Sequence, residues 1–320
     1  MDDRELFAKG PPEAVDNTIL SNWTTCRRRL YWFLRGLDYK SIPAYFVYGR
    51  CFGTAVNIWH GRNGEDPLER IAEAVNAAQE IWQAEAPLEV NGNDTWEGFK
   101  EMFKQYCGHY GKTEPWSMAY RTGEKGFSLP LPSFPSVFYA GAMDAPILWK
   151  PYGMMVREDK TTGSWVNQGF MDQWDYSTQV TGYIWAGRSI VEGMSNRCYM
   201  NVAGKTPRYE GQGKAKRPAP ELRFSRYLTE RTEDQLERFV AETGRLAREI
   251  WQEWEKGSWN WDKTGMRNQI NCTGGMGRSR CLYSSLCKLD LEPWEMEEHN
   301  FLDEFTWRGK WAPWERDGGD

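Results

Sequence analysis

Apolar residues recur along this chain in two rhythms. Where they return every three or four positions they predict helices, and where they alternate they predict strands. The segment SNWTTCRRRLYWFLRG (21–36) carries Trp23, Leu30, Tyr31, Phe33 and Leu34 between a capping Ser21 and a terminating Gly36. It predicts one short helix holding Cys26 and three consecutive arginines. CFGTAVNIWH (51–60) opens a second helix. PLERIAEAVNAAQEIWQA (67–84) predicts a third with Pro67 at its first position, and 94–111 a fourth between a capping Asp94 and Gly111. The rhythm then changes: 136–150 and 153–162 read as two strands joined by a Pro151-Tyr152-Gly153 turn. A helix over about 172–192 follows, then strands at 196–204 and 221–229 around a Lys- and Gly-rich loop. The clearest helical pattern is 232–257, with Leu236, Phe239, Val240, Leu246, Ile250, Trp251 and Trp254 on one face and a Thr232/Gln235 capping box. Helices on both sides of a strand-rich middle predict an α/β fold, a central mixed β-sheet flanked by helices.

This pattern divides the chain into a leading segment (1–20), a main domain (21–288) and a tail (289–320). The main domain has a helical part (21–130), a core (131–230) and a closing helical part (231–288). With 320 residues, 18 Trp, 15 Tyr and 14 Phe, there is ample material for a large interior. Forty Lys and Arg against 45 Asp and Glu give a net charge of −5, which excludes a uniformly basic nucleic-acid binder but not a local basic patch. The charge is in fact uneven. Arg27, Arg28, Arg29, Arg35, Lys40 and Arg50 face a single acid between them, Asp38. Lys205, Arg208, Lys214, Lys216, Arg217, Arg223 and Arg226 face only Glu210 and Glu221, whereas 290–320 holds ten acids against three bases. The basic segments, with Arg27, Arg28, Arg29, Lys214, Lys216 and Arg217 foremost, are candidate phosphate contacts, and Tyr31, Trp32 and Tyr209 candidate stacking partners for unpaired bases. The odd count of seven cysteines, the polar opening MDDRELFAKG and the lack of an apolar run near 18 residues predict a cytoplasmic protein (host cytoplasm if virus-encoded) with no membrane partner. In a reducing compartment clustered cysteines bind metal more often than they pair.

The candidate chemistry sits on the two middle strands. Asp144 ends Gly141-Ala-Met-Asp144, and Glu158 and Lys160, two apart on the next strand, leave it on one face. If the strands pair, Asp144 projects beside them. Two carboxylates that converge need a cation, and hard oxygen ligands favour Mg²⁺ or Mn²⁺. Gln179 and Tyr183, four apart, share one face of the helix that follows.

This order, Gly-x-x-Asp, then Glu-x-Lys-Thr-Thr, then Gln-x-x-x-Tyr, resembles the RecB-like branch of the PD-(D/E)-x-K nuclease superfamily, with Met143 in place of the name-giving proline. The resemblance implies a restriction-endonuclease-like core in which Asp144, Glu158 and the main-chain carbonyl of Asp159 bind Mg or Mn. Lys160 would be the catalytic lysine, with Gln179 and Tyr183 supporting the site and the DNA. The family places a metal-binding His in a helix reading Phe-Gly-x-x-x-His; here that position is Asn57, and His60 lies one turn on. Both stay open as ligands.

Cys272, Cys281 and Cys287 lie close together at the spacing Cys-x8-Cys-x5-Cys, three thiolates in want of a fourth. The CRISPR-associated RecB-like exonucleases and AddB-type nuclease domains hold a [4Fe–4S] cluster with one cysteine before the nuclease core and three after it. By that resemblance Cys26, Cys272, Cys281 and Cys287 would be the ligands, joining the N- and C-terminal segments at the cluster. Zinc stays open as the alternative occupant. Cys51, Cys107 and Cys198 read as buried small hydrophobes. Taken whole, the resemblance implies a metal-dependent DNA exonuclease working on ends or single strands in recombination, repair or replication. With no Walker-type motif, it acts alone or with a helicase or recombination partner. A non-catalytic iron–sulfur DNA-binding or assembly factor and a CRISPR spacer-acquisition nuclease stay open beside it.

Overall fold

The computed structural model describes residues 12–34, 36–87, 90, 93–111, 114–120, 123–207, 209–210, 217–219, 223–256, 272, 281–289 and 305–307. The chain is α/β, with helices and mixed sheets. A short strand, β1 (Ala14–Val15), precedes α1 (Asn17–Thr25) and α2 (Arg27–Leu34), and β2 (Leu37–Tyr39) follows. The sequence predicts one helix here; the structure has two, because Cys26 is extended (φ −164°, ψ 112°) and serves both. Its N–H closes α1 on Asn22 O at 2.9 Å, and its carbonyl accepts from Leu30 N–H at 3.2 Å to open α2. The cap of α1 is Asp16 rather than Ser21: Asp16 Oδ1 accepts from Ile19 N–H at 2.7 Å.

Three longer helices come next: α3 (Ala44–Gly61), α4 (Pro67–Glu85) and α5 (Trp96–Tyr110). Helix α3 starts well before residue 51, directly after Pro43, whose fixed φ of −58° suits a helix entrance. Asp66 caps α4, accepting from Leu68 and Glu69 N–H at 2.8 and 3.2 Å, with Pro67 at the first position. Thr95 caps α5 in place of Asp94, which pairs instead with Lys205 at 2.5 Å. The three helices pack because α3 presents Val47, Tyr48, Cys51, Phe52, Ala55, Val56 and Trp59 along one stripe. Ala74 and Ala78 let α4 approach that stripe closely. On α5, Trp96, Phe99, Phe103 and Tyr106 stack in a row, ring centroids 5.2 to 6.2 Å apart. Each large buried side chain here contributes about 2–3 kcal/mol of burial.

The strands follow: β3 (Ser117–Met118), β4 (Lys125–Leu131), β5 (Phe134–Met143), β6 (Ala145–Trp149) and β7 (Gly153–Thr162). The single strand expected over 136–150 is two, and the bend between them is Asp144. Gly153, at φ 77°, makes the β6–β7 turn. The expected helix at 172–192 is divided as well. A short α6 (Gln168–Met171) and a 3₁₀ turn (Asp172–Tyr176) precede α7 (Thr178–Ile190), capped by Ser177 through Val180 N–H at 3.3 Å. Then come β8 (Met194–Gly204), β9 (Tyr209–Glu210), β10 (Arg217–Pro218), β11 (Phe224–Glu230), α8 (Glu233–Glu255), α9 (Ser284–Leu289) and β12 (Phe305–Trp307). The capping box of α8 forms as expected: Thr232 N–H donates to Gln235 Oε1 at 2.8 Å, and Gln235 N–H to Thr232 Oγ1 at 3.3 Å.

The chain divides into two compact units. Among the described residues one comprises those within 42–127 and 142–237, and the other those within 12–41, 128–141 and 238–307. In the first, a five-stranded mixed sheet runs β11-β8-β7-β6-β3; β7 and β8 are parallel and the remaining pairs antiparallel. Strand β7 is central and buried on both faces from Met155 to Asp159. The second unit pairs β1 with β5 in parallel and β2 with β12 in antiparallel. Among the described residues no helix is long and apolar enough to cross a membrane.

Candidate functional site

The β6–β7 register pairs Ala145 with Arg157, so Asp144, one step beyond, falls opposite Glu158. The bend at Asp144 frees its side chain, and Oδ2 accepts the Asp159 main-chain N–H at 2.7 Å. Glu158 is 1% exposed, and its Oε1 lies 2.5 Å from Lys160 Nζ. The other oxygen, Glu158 Oε2, is buried with no hydrogen-bond donor among the described residues. Lys160 Nζ donates to Gln179 Oε1 at 3.2 Å, and Gln179 Nε2 to Tyr183 OH at 2.9 Å, along the first two turns of α7. The sequence-derived set Asp144, Glu158, Lys160, Gln179 and Tyr183 is thus brought together in one unit.

The electrostatics follow from that burial. Burial first, then Glu158 and Asp159, push the Asp144 carboxyl well above the usual carboxylate range. Glu158 is also raised by burial, against the pull of Lys160. For Lys160 burial works against the charge, but Glu158 and Asp144 outweigh it and keep the ammonium protonated. Two buried carboxylates with one orphaned oxygen, sharing one ammonium, form a donor set suited to a hard divalent cation. Among the described residues no three His, Cys, Asp or Glu side chains stand together as a ready metal site. The side-chain donors here are two, Asp144 and Glu158.

The two remaining ligand candidates divide. Asn57 lies at the site: its Nδ2 reaches Asp144 O at 3.5 Å, and its Oδ1 accepts from Arg157. His60 is not brought to the carboxylates. It is buried, with Nε2 3.0 Å from Tyr106 OH, Nδ1 3.7 Å from Glu114 and the ring against Trp116. Burial, then Arg157, Arg226 and Arg70, hold it well below its ordinary pKa, so the imidazole is neutral. The motif reading takes only the main-chain carbonyl of Asp159 and misses the polar set its side chain joins on the opposite face of β7, with Arg157, Asn201 and Tyr106. The signal was there: Arg157-Glu158-Asp159-Lys160 places charge on both faces of a strand.

In the other unit Cys26, Cys272, Cys281 and Cys287 are neighbours. Cys281 N–H donates to Cys272 O at 3.3 Å, and Cys281 senses both Cys26 and Cys272 electrostatically. Burial raises the Cys281 thiol and pushes Cys287 up to about 11, against Arg29 near the first and Arg28 and Trp32 near the second. Among the described residues no disulfide forms. Close as they are, no three of these thiols stand together as a group that could hold a metal ion among the described residues. Cys51, Cys107 and Cys198 are buried, as expected.

The DNA-contact expectations need correction. Tyr31 and Trp32 are buried in the core and cannot stack on bases, and Arg28 is buried beside Trp32. Arg27 lies over Trp23 at 4.3 Å, and Arg29 is half-buried. In the second basic segment Lys205 pairs with Asp94, Arg223 is buried against Gly204 O and Gln105, and Arg226 pairs with Glu114. Their charges are directed inward because each has a carboxylate or carbonyl waiting there. Lys214, Lys216, Arg208, the side chains of Arg217 and Tyr209, and most of 289–320 lie outside the described residues.

No protein-family model matches this chain, and no curated protein matches it. Among solved structures, one titled "Crystal structure of SSO0001" is similar to it at 12% identity and a TM-score of 0.34, over 91% of this chain and 98% of that one, a likeness too slight to carry an argument.

Proposed function

We propose that the protein is a divalent-metal-dependent deoxyribonuclease, an exonuclease acting on DNA ends or single strands, with a restriction-endonuclease-like core of the RecB-like kind. The observation that carries the reading is the convergence of Asp144, Glu158, Lys160, Gln179 and Tyr183 from a strand bend, a central strand and a helix. Asp144 and Glu158, with the Asp159 carbonyl, would hold Mg²⁺ or Mn²⁺. Such an ion offsets phosphodiester charge and makes bound water a better nucleophile. Lys160, kept protonated by the carboxylates and aimed by Gln179, is equipped to stabilise charge developing on a phosphoryl oxygen. Tyr183 fixes the Gln179 amide. Cys26, Cys272, Cys281 and Cys287 would hold a [4Fe–4S] cluster, or zinc, and so tie distant chain segments together. A helicase or recombination partner would supply unwinding.

End-labelled single- and double-stranded DNA incubated with Mg²⁺ or Mn²⁺ tests the reading. Label release should stop with chelator and fall by about 100-fold or more in Asp144→Ala, Glu158→Ala and Lys160→Ala. Activity that survives all three substitutions rules the site out. Anaerobically purified protein should be brown with broad visible absorbance; colourless protein with stoichiometric zinc refutes the cluster and supports its alternative.

A further inference from the structure

On the face of β7 turned away from Glu158 and Lys160, a continuous polar chain runs from α3 through α5 and β8 and back to Asp144. Arg157 and Asp159 leave the strand on that face. Arg157 Nε and its terminal nitrogen donate to Asp159 Oδ2 at 3.2 and 2.8 Å, with the two side chains 0% and 1% exposed. Asn201 Nδ2 donates to the second Asp159 oxygen at 2.6 Å. Tyr106 OH donates to Asn201 Oδ1 at 3.2 Å, and His60 closes the far end on Tyr106. At the near end Asn57 accepts from Arg157 and reaches the Asp144 carbonyl.

The Asp159 peptide joins the two faces. Its side chain takes three donors on the hidden side, which leaves it one orientation. Its N–H, on the site side, holds Asp144 Oδ2 at 2.7 Å. Asp144 and Glu158 are two buried carboxyls side by side, and a cation shared between them is held only while both stay aimed at it. A buried ion pair contributes little net stability, since its desolvation offsets its attraction. The Arg157–Asp159 pair is therefore better explained by what it orients.

We propose that Asp159, clamped by Arg157 and Asn201, is a positioning residue that holds the Asp144 carboxylate in register with Glu158, and that Asn57 belongs to this clamp rather than to the metal ligands. The amide oxygen of Asn57 is already committed to Arg157, which fits that assignment. The proposal rests on the metal-site reading above.

The test compares wild type, Asp159→Asn, and the double variant Arg157→Met/Asp159→Asn, which removes both buried charges together. Three quantities are read: Mn²⁺ affinity of the DNA-free protein by calorimetry, exchange of the main-chain amide proton at position 159 in metal-free protein, and the urea midpoint. Both variants should bind Mn²⁺ about 10- to 100-fold more weakly and exchange that amide at least about tenfold faster, a loss of about 1.4 kcal/mol. Asp159→Asn should also lose stability, because it strands Arg157, whereas the double variant should recover much of it. A double variant that regains stability and Mn²⁺ affinity together shows a structural role only and overturns the proposal while leaving the metal site standing. Wild type that binds no Mn²⁺ overturns both.

Discussion

Arg231 offers a quantitative test of how the helix bearing Gln179 is held. It is 4% exposed and, among the described residues, has no carboxylate in direct contact. Its guanidinium instead donates to Thr181 Oγ1 at 2.8 Å, Thr229 Oγ1 at 2.8 Å, Glu230 O at 2.9 Å and Trp174 O at 2.7 Å. These acceptors belong to α7, β11 and the 3₁₀ turn, so one side chain fastens the entrance of α7 to the sheet edge. In Arg231→Met the hydroxyls keep other bonds, since Thr181 Oγ1 still donates to Ser177 O and Thr229 Oγ1 to Asp175. The loss is these four charge-assisted bonds, the one to Trp174 O the shortest, partly offset by the returned desolvation of the guanidinium. The balance is a destabilisation of about 3 kcal/mol. With a urea m-value of about 3 kcal/mol/M, the midpoint should fall by about 1 M. Arg231→Lys should fare little better, because one ammonium cannot span a planar fork of acceptors on three elements. Circular dichroism during urea titration reads this directly. A midpoint within about 0.3 M of wild type for both variants would refute the reasoning.

Three further outcomes are expected. Gly123 sits at φ 78°, where an added Cβ would run into the Asn57 amide; Gly123→Ala should cost about 2–4 kcal/mol, read from urea unfolding, and a cost under about 1 kcal/mol would show the loop yields. Asp66→Ala removes the cap of α4 and should cost about 1 kcal/mol, with Asp66→Asn or Asp66→Ser restoring most of it. The Cys51 and Cys107 thiols are each pushed up to about 12 by burial, so at about pH 8, well below those values, both are protonated and poor nucleophiles. Iodoacetamide at that pH should leave them unmodified in folded protein and alkylate them in urea, as mass spectrometry of peptides would show; labelling in the folded protein would contradict their burial.

What the sequence disclosed, and what it hid, depends on how local each signal is. Helix α8 and strand β7 were legible because caps, period and turn residues all lie within the element. The site quintet was legible because alternation on a strand and i, i+4 spacing on a helix fix which side chains share a face. The break at Cys26 was not, since nothing in TTCRRR forbids a continuous helix. Nor were the inward charges. Arg157, Arg223, Arg226 and Lys205 would each be assigned to the surface on residue type alone, and only partners far along the chain, such as Asn57, Gly204, Glu114 and Asp94, make their burial tolerable. Tyr31 and Trp32 illustrate the converse: an aromatic beside arginines suggests a nucleic-acid contact, but packing claimed both rings.

The interleaving of the two units bears on the order in which a growing chain can become ordered. The strands and helices that carry the candidate carboxylate site have all left the ribosome once Glu237 has emerged, some eighty residues before residue 320 is added. In the other unit the β1–β5 pairing is available by residue 143, but Cys26 meets Cys272, Cys281 and Cys287 only across an intervening stretch of about 245 residues. Synthesis therefore favours a nascent species whose central sheet is assembled while Cys26 has yet to meet its three late neighbours.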